Sequence, residues 1–241
     1  MVDAPSGLGW LTARPIAHRG LHDRARGIPE NSLAAFRAAI EGGFAIECDI
    51  HRTRDGVPVV FHDHNLARLA GVSGRIDDLT AAEVSRLRLF DTDEAPPTLA
   101  ALLDLVDGRV PIVVEAKGID AAADAGFMDD AGPVLAAYRG PLALMSFDHW
   151  LLDQAGEAGL DLPIGLTAEG TRPEALERHR VVFERRCAFV SYNVHHLPNA
   201  FVTWVRDVRR APVISWTVRT PSDVEQSATH ADQMTFEGFV P

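Results

Sequence analysis

At 241 residues, with 46% hydrophobic and 24% charged side chains, the chain has the make-up of a folded globular protein, which excludes a disordered one. A formal charge of −11 argues against nucleic acid or an anionic membrane surface as a partner. Two cysteines, Cys48 and Cys187, exclude a disulfide scaffold or a cysteine-rich metal site, and no apolar run approaches the roughly 20 residues needed to span a bilayer.

Short β-rich apolar runs alternate with amphipathic ones. Strands are predicted near 15–18, 44–50, 110–115, 142–146, 162–166, 187–192, 212–216 and 232–235. Asn31 is a candidate cap for a helix carrying Leu33, Phe36 and Ile40 on one face and ending at Gly42 and Gly43. Thr53 to Gly56 reads as a turn, followed by a hairpin strand over 57–61. Residues 63–97 form a long, polar, mixed segment before the next helix. Leu99, Leu102, Leu103 and Val106 make a second helical stripe, stopped by Gly108. Further along, Thr171 to Glu174 has the spacing of a capping box, and Thr220 with Pro221 reads as a cap followed by a first-turn proline.

Strand-then-helix alternation calls for a parallel sheet, because parallel neighbours need crossover helices. About eight such units favour a closed (β/α)8 barrel, the TIM architecture of about 250 residues, over an open doubly wound sheet. The last strand is followed by too few residues for a full closing helix. The expectation is therefore an incomplete barrel, a gap covered by the N-terminal residues, or a homo-oligomer covering that side. The whole chain, 1–241, reads as one barrel domain.

Side chains alternate along a strand, so Glu47 and Asp49 share a face at the end of the second strand. Glu115 and Lys117 form a similar pair ending the third. In a TIM barrel these ends lie at the functional rim. Three converging carboxylates repel one another, and a divalent cation removes the conflict; all-oxygen ligation suits Mg2+ or Ca2+ equally. His18 ends the first strand and His62 ends the hairpin strand, beside the acids. Two histidines flanking a phosphorus centre can divide proton donation and acceptance. Arg19 and Lys117 supply positive charge for a phosphate. Trp216 is either a rim platform or core, Cys48 belongs on the opposite face from the acids, and the other eight histidines read as structural.

These residues also carry a family likeness. His18-Arg19-Gly20, Pro29-Glu30-Asn31-Ser32, Glu47-Cys48-Asp49, Thr53-Arg54-Asp55-Gly56, His62-Asp63 and Glu115-Ala116-Lys117 resemble, in order and spacing, the glycerophosphodiester phosphodiesterase signature. Pro97-Thr98-Leu99, Ser146-Phe147-Asp148 and Trp216-Thr217-Val218 extend the likeness. It implies that 63–97 is a small insertion after the second strand. It also implies metal ligands at Glu47, Asp49 and Glu115, acid/base histidines at His18 and His62, and phosphate contacts at Arg19 and Lys117. Glu30 matches a position supporting the metal or a catalytic histidine. The chain departs from the pattern in three places: Ser32 stands for threonine, Ala116 for a β-branched residue, and Met234-Thr235-Phe236-Glu237-Gly238-Phe239 for a Thr-Asp-type ending and a final helix.

The resulting expectation is metal-dependent hydrolysis of a small glycerophosphodiester to an alcohol and sn-glycerol 3-phosphate, by water or by a neighbouring glycerol hydroxyl. Rival readings are a lipid-directed phosphodiesterase and a non-catalytic phosphate- or sugar-binding barrel. Residues 1–14 lack the basic-then-apolar pattern of a secretory signal, which makes the cytoplasm the default expectation.

Overall fold

The structure is a computed structural model that describes residues 7–241. The barrel is built from β1 (Ile16–Ala17), β2 (Ala45–Arg52), β4 (Ile112–Ala116), β5 (Leu142–Ser146), β6 (Ile164–Ala168), β7 (Phe189–Asn193), β8 (Val213–Val218) and β9 (Gln233–Phe236). All neighbouring pairs among them are parallel, and β1 pairs with both β2 and β9, so the sheet closes on itself. The ninth strand, β3 (Pro58–Val60), pairs antiparallel with the overlong end of β2. Closure thus comes from backbone pairing of β9 with β1. This corrects the expectation of an incomplete barrel, since no helix after the last strand is needed to seal it.

The helices are α1 (Gly9–Thr12), α2 (Leu33–Glu41), α3 (Ala67–Ala70), α4 (Ala81–Val84), α5 (Leu99–Val106), α6 (Phe127–Ala137), α7 (His149–Glu157), α8 (Pro173–Arg186), α9 (Ala200–Asp207) and α10 (Pro221–His230). Two predicted caps move. Ser32, not Asn31, caps α2, its hydroxyl accepting from the Ala35 N–H at 3.1 Å. Thr171 does not cap α8, whose first residue is Pro173 after an uncapped Arg172; a first-turn proline already removes one N–H that a cap would satisfy. Thr220 caps α10 in a full capping box with Asp223. The insertion is less polar inside than its sequence suggests. It carries α3 and α4, and Leu66, Leu69, Ile76, Val84 and Leu89 form a small core with Val59 and Phe61.

Most of the apolar core lies between the barrel and its helices. Inside the barrel a second cluster, Ile16, Ala45, Val113, Ala143, Met145, Phe189 and Ile214, is plugged from the N-terminal end by Leu11 of α1. Residues from this end therefore cover the barrel's floor, not a gap in its wall. Phe189 fills the interior only because β6 has glycine opposite it: a Cβ on Gly165 would lie 2.2 Å from the ring. Gly165→Ala is expected to destabilise the fold by about 1–3 kcal/mol in urea unfolding. Adding Phe189→Leu should recover part of that loss, and an unchanged midpoint for Gly165→Ala would contradict this packing.

Candidate functional site

The interior side chains change character from bottom to top. Above the apolar layer, Glu47 and Asp49 follow Ala45 on β2, and Glu115 follows Val113 on β4, each two residues on and therefore on the same face. The register sets Asp49 opposite Glu115. One carboxylate oxygen from each of Glu47, Asp49 and Glu115 lies within 4.8 Å of the others, and all three residues are buried. Cys48 points the other way, into the core against the helices.

The acids are not equally compensated. Lys117 Nζ is 3.0 Å from Asp49 Oδ1 and also bonds Glu115 Oε1. Arg19 Nε stands 3.4 Å from Asp49 Oδ2, and its Nη1 donates to Glu30 Oε1 at 2.6 Å. Arg19 has φ +56°, a left-handed conformation that turns its backbone N–H onto Glu47 Oε2 at 2.9 Å. Gly20 beside it has φ +77° and lies so close to α2 that a Cβ would meet the Ala35 backbone at 2.9 Å. Glu47 Oε1 is buried with no hydrogen-bond partner among the described residues. Burial, then the charges of Asp49 and Glu115, pushes the Glu47 carboxyl well above its usual range. Burial likewise raises Glu115. For Asp49 burial acts in the same sense, but Lys117, His62 and Arg19 outweigh it and hold the group low.

Asn31 adds two hydrogen bonds to Asp49. It takes φ +55°, which asparagine tolerates, so it does not cap the helix. Its Nδ2 donates to Asp49 Oδ2 at 2.9 Å, and its Oδ1 accepts from the Asp49 N–H at 3.3 Å.

His18 and His62 reach the same cleft as the acids. His18 Nε2 lies 3.9 Å from Glu47 Oε2, and its Nδ1 is 2.6 Å from Glu237 Oε2. Burial pulls the His18 pKa down to about 4 and lowers that of His62. His62 Nδ1 is 2.6 Å from Asp63 Oδ1. Asp63 in turn accepts from Arg68 Nε at 2.7 Å, and the same guanidinium bonds both oxygens of Glu30. Arg68 comes from α3, so the insertion braces the site through Glu30. Buried His51 meets the His62 carbonyl at 3.0 Å through Nε2.

The cleft has a volume of about 220 Å³ and brings together His18, Arg19, Glu47, Asp49, His62, Glu115, Lys117 and Trp216. Glu30 sits behind it, on Arg19 and Arg68. Trp216 and Phe147 form an edge-to-face pair on one wall, ring centroids 5.4 Å apart. His195, set aside as structural, lines the cleft as well, with Asn193 and Arg219. A larger hollow of about 590 Å³ lies outside the barrel between α5 and α6, away from the carboxylates.

The profile of the glycerophosphoryl diester phosphodiesterase family matches residues 18–239, a stretch holding every one of these side chains. The chain belongs to that family. Glycerophosphodiester phosphodiesterase 1 of Mus musculus is 42% identical over 114 residues, 43% of this chain and 33% of that protein. Glycerophosphodiester phosphodiesterase of Caldanaerobacter subterraneus is 41% identical over 73 residues, 30% of this chain and 29% of that protein. The chain thus spans about a third of the length of the curated relatives it matches. Among solved structures, an Oleispira antarctica phosphodiesterase in complex with the product sn-glycerol-3-phosphate superposes with a TM-score of 0.79 at 23% identity, covering 94% of each chain. The glycerophosphodiester phosphodiesterase of Thermotoga maritima gives 0.73 at 25% identity over 92% of each chain. Among the described residues, no helix is long and apolar enough to cross a membrane.

The three acids suit a divalent cation on their own chemistry: hard oxygen donors, mutual repulsion, and one buried carboxylate oxygen with no partner among the described residues. Glu47→Gln holds this position uncharged, relieving the cost of an acid that burial and its neighbours oppose, and keeps an acceptor for the Arg19 N–H. In chelator it should raise the melting temperature by about 2–4 °C, corresponding to about 1 kcal/mol for a chain of this size. The rise that Mg2+ or Ca2+ produces in the parent should largely vanish. A variant that keeps the full cation-dependent rise would place the ion elsewhere.

Proposed function

We propose that the chain, acting as one barrel domain over 1–241, hydrolyses glycerophosphodiesters to an alcohol and sn-glycerol 3-phosphate. Glu47, Asp49 and Glu115 would hold one divalent cation, Mg2+ or Ca2+, which when bound counters charge developing on the phosphoryl oxygens. Arg19 and Lys117 bind the phosphodiester and orient it, already held in place by Asp49 and Glu30. Glu30 acts from behind, through Arg19 and Arg68.

The observation that carries this reading is convergence: His18 and His62, the three acids, and Arg19 and Lys117, from separate parts of the chain, line one cleft. Each histidine has its Nδ1 engaged by a carboxylate, Glu237 for His18 and Asp63 for His62, so Nε2 is the ring nitrogen left for proton transfer. One histidine takes the proton of the attacking hydroxyl as the oxygen bonds to phosphorus. The other gives a proton to the departing alcohol oxygen as its bond to phosphorus breaks. The attacking group is water, or a neighbouring glycerol hydroxyl that gives a cyclic phosphate opened by water in a second step. The aromatic wall of Phe147 and Trp216 supplies apolar surface beside the reacting centre.

The test is release of glycerol 3-phosphate from glycerophosphocholine and glycerophosphoethanolamine by chelator-treated protein, with Mg2+, Ca2+ or Mn2+ restored. Activity should return with at least one cation. Single His18→Ala and His62→Ala variants should each lose about 10²–10⁴-fold in kcat, the usual worth of a general acid or base. Near-normal turnover in both would refute the two-histidine scheme. Activity on lysolipid but on neither soluble diester would move the substrate class to lipid.

A further inference from the structure

Glu237 follows the last barrel strand, in the ending that departs from the family pattern, and its side chain turns to His18. The parallel register explains how it gets there. Ile16 faces Thr235 and Ala17 faces Phe236, so the next step brings His18 beside Glu237. The His18 N–H donates to the Phe236 carbonyl at 3.0 Å, and the Glu237 N–H donates to the Val218 carbonyl at 3.0 Å on the other side. Glu237 is therefore fixed between β1 and β8 by backbone bonds. Its Oε2 meets His18 Nδ1 at 2.6 Å and accepts from Arg219 Nη2 at 2.9 Å, while Oε1 lies 4.0 Å from His22 Nε2.

A neutral imidazole has two tautomers, and an ionised carboxylate can only accept. A carboxylate at Nδ1 therefore selects the form with its proton there. The lone pair is then on Nε2, the nitrogen 3.9 Å from Glu47 Oε2 on the cleft side. His62 obtains the same arrangement from its sequence neighbour Asp63 with Arg68 behind it. His18 has no acid next to it in sequence and takes one from 219 positions away.

We propose that Glu237 is a positioning residue for His18, fixing its tautomer and ring orientation, with Arg219 as the anchor of the carboxylate. This rests on the reading of His18 as a proton-transfer group. When Nε2 takes a proton from the attacking hydroxyl, the ring becomes an imidazolium whose Nδ1–H already points at a carboxylate. Glu237 touches neither substrate nor the reacting atoms in this scheme.

Side-chain ¹H–¹⁵N correlation spectra of the Mg2+-loaded protein test it directly, because they report histidine tautomers without turnover. His18 should show the Nδ1–H form in the parent and lose that preference in Glu237→Ala. Glu237→Gln, which can still accept through Oε1, should keep it. In turnover, Glu237→Ala should lower kcat about 10–100-fold, the usual cost of removing such a supporting partner, with KM little changed. Glu237→Gln should recover most of that loss. An unchanged His18 tautomer in Glu237→Ala, or a kcat within about twofold of the parent, would overturn the proposal. A tautomer shift in a protein inactive on glycerophosphodiesters would support the positioning role and count against the substrate reading alone.

Discussion

Three carboxylates lie within 4.8 Å of one another at the mouth of a barrel, buried from water. Left alone they would repel, and burial would penalise each charge further. The surrounding structure offsets this unevenly. Asp49 receives Lys117, Arg19 and Asn31, whereas one oxygen of Glu47 has no partner among the described residues. The left-handed turns at Arg19 and Asn31, the close approach of Gly20 to α2, and the bracing of Glu30 by the insertion all serve that cluster.

The barrel makes the cluster achievable by separating two tasks along one set of strands. Its lower interior is apolar and filled, with Phe189 in the space left by Gly165 and Leu11 as a plug. Its upper interior is polar, and several hydroxyls there (Thr167, Ser191 and Thr235) are buried without partners among the described residues. The rigid lower layer fixes strand direction, so residues two steps further along are aimed at the mouth. Charge that would destabilise an ordinary core is thereby confined to the layer that meets the cleft.

Strand parity made much of this legible. The i, i+2 spacing of Glu47 with Asp49 and of Glu115 with Lys117 needs only the alternation of a strand, and the register then sets Asp49 against Glu115. What escaped has a common cause: it depends on contacts between distant segments. Asn31 looked like a helix cap because its neighbours allow that role, and only the fold brings it to Asp49. Arg68 sits in a segment whose own sequence shows no regular pattern, and its partners are Glu30 and Asp63. Glu237 lies in an ending that departs from the family pattern; parity with Thr235, two residues before it, is a usable signal, but its neighbour His18 is set only by the pairing of β9 with β1. His195 follows β7 on a short turn, where alternation no longer says which way a side chain points.

In the proposed reading the three carboxylates, when all are ionised, are met directly by two cations, Arg19 and Lys117, leaving one negative charge in excess at the cluster. A divalent ion converts that to one positive charge, the complement of a monoanionic phosphodiester. Cation and phosphate should therefore bind cooperatively. The most direct test is calorimetric titration of sn-glycerol 3-phosphate into chelator-stripped protein, with and without saturating Mg2+ or Ca2+. The account predicts affinity at least about 10-fold higher with the cation, within the range usual for coupled sites. Equal affinity in both conditions would contradict it, because the acids would then have no cation whose charge the phosphate feels.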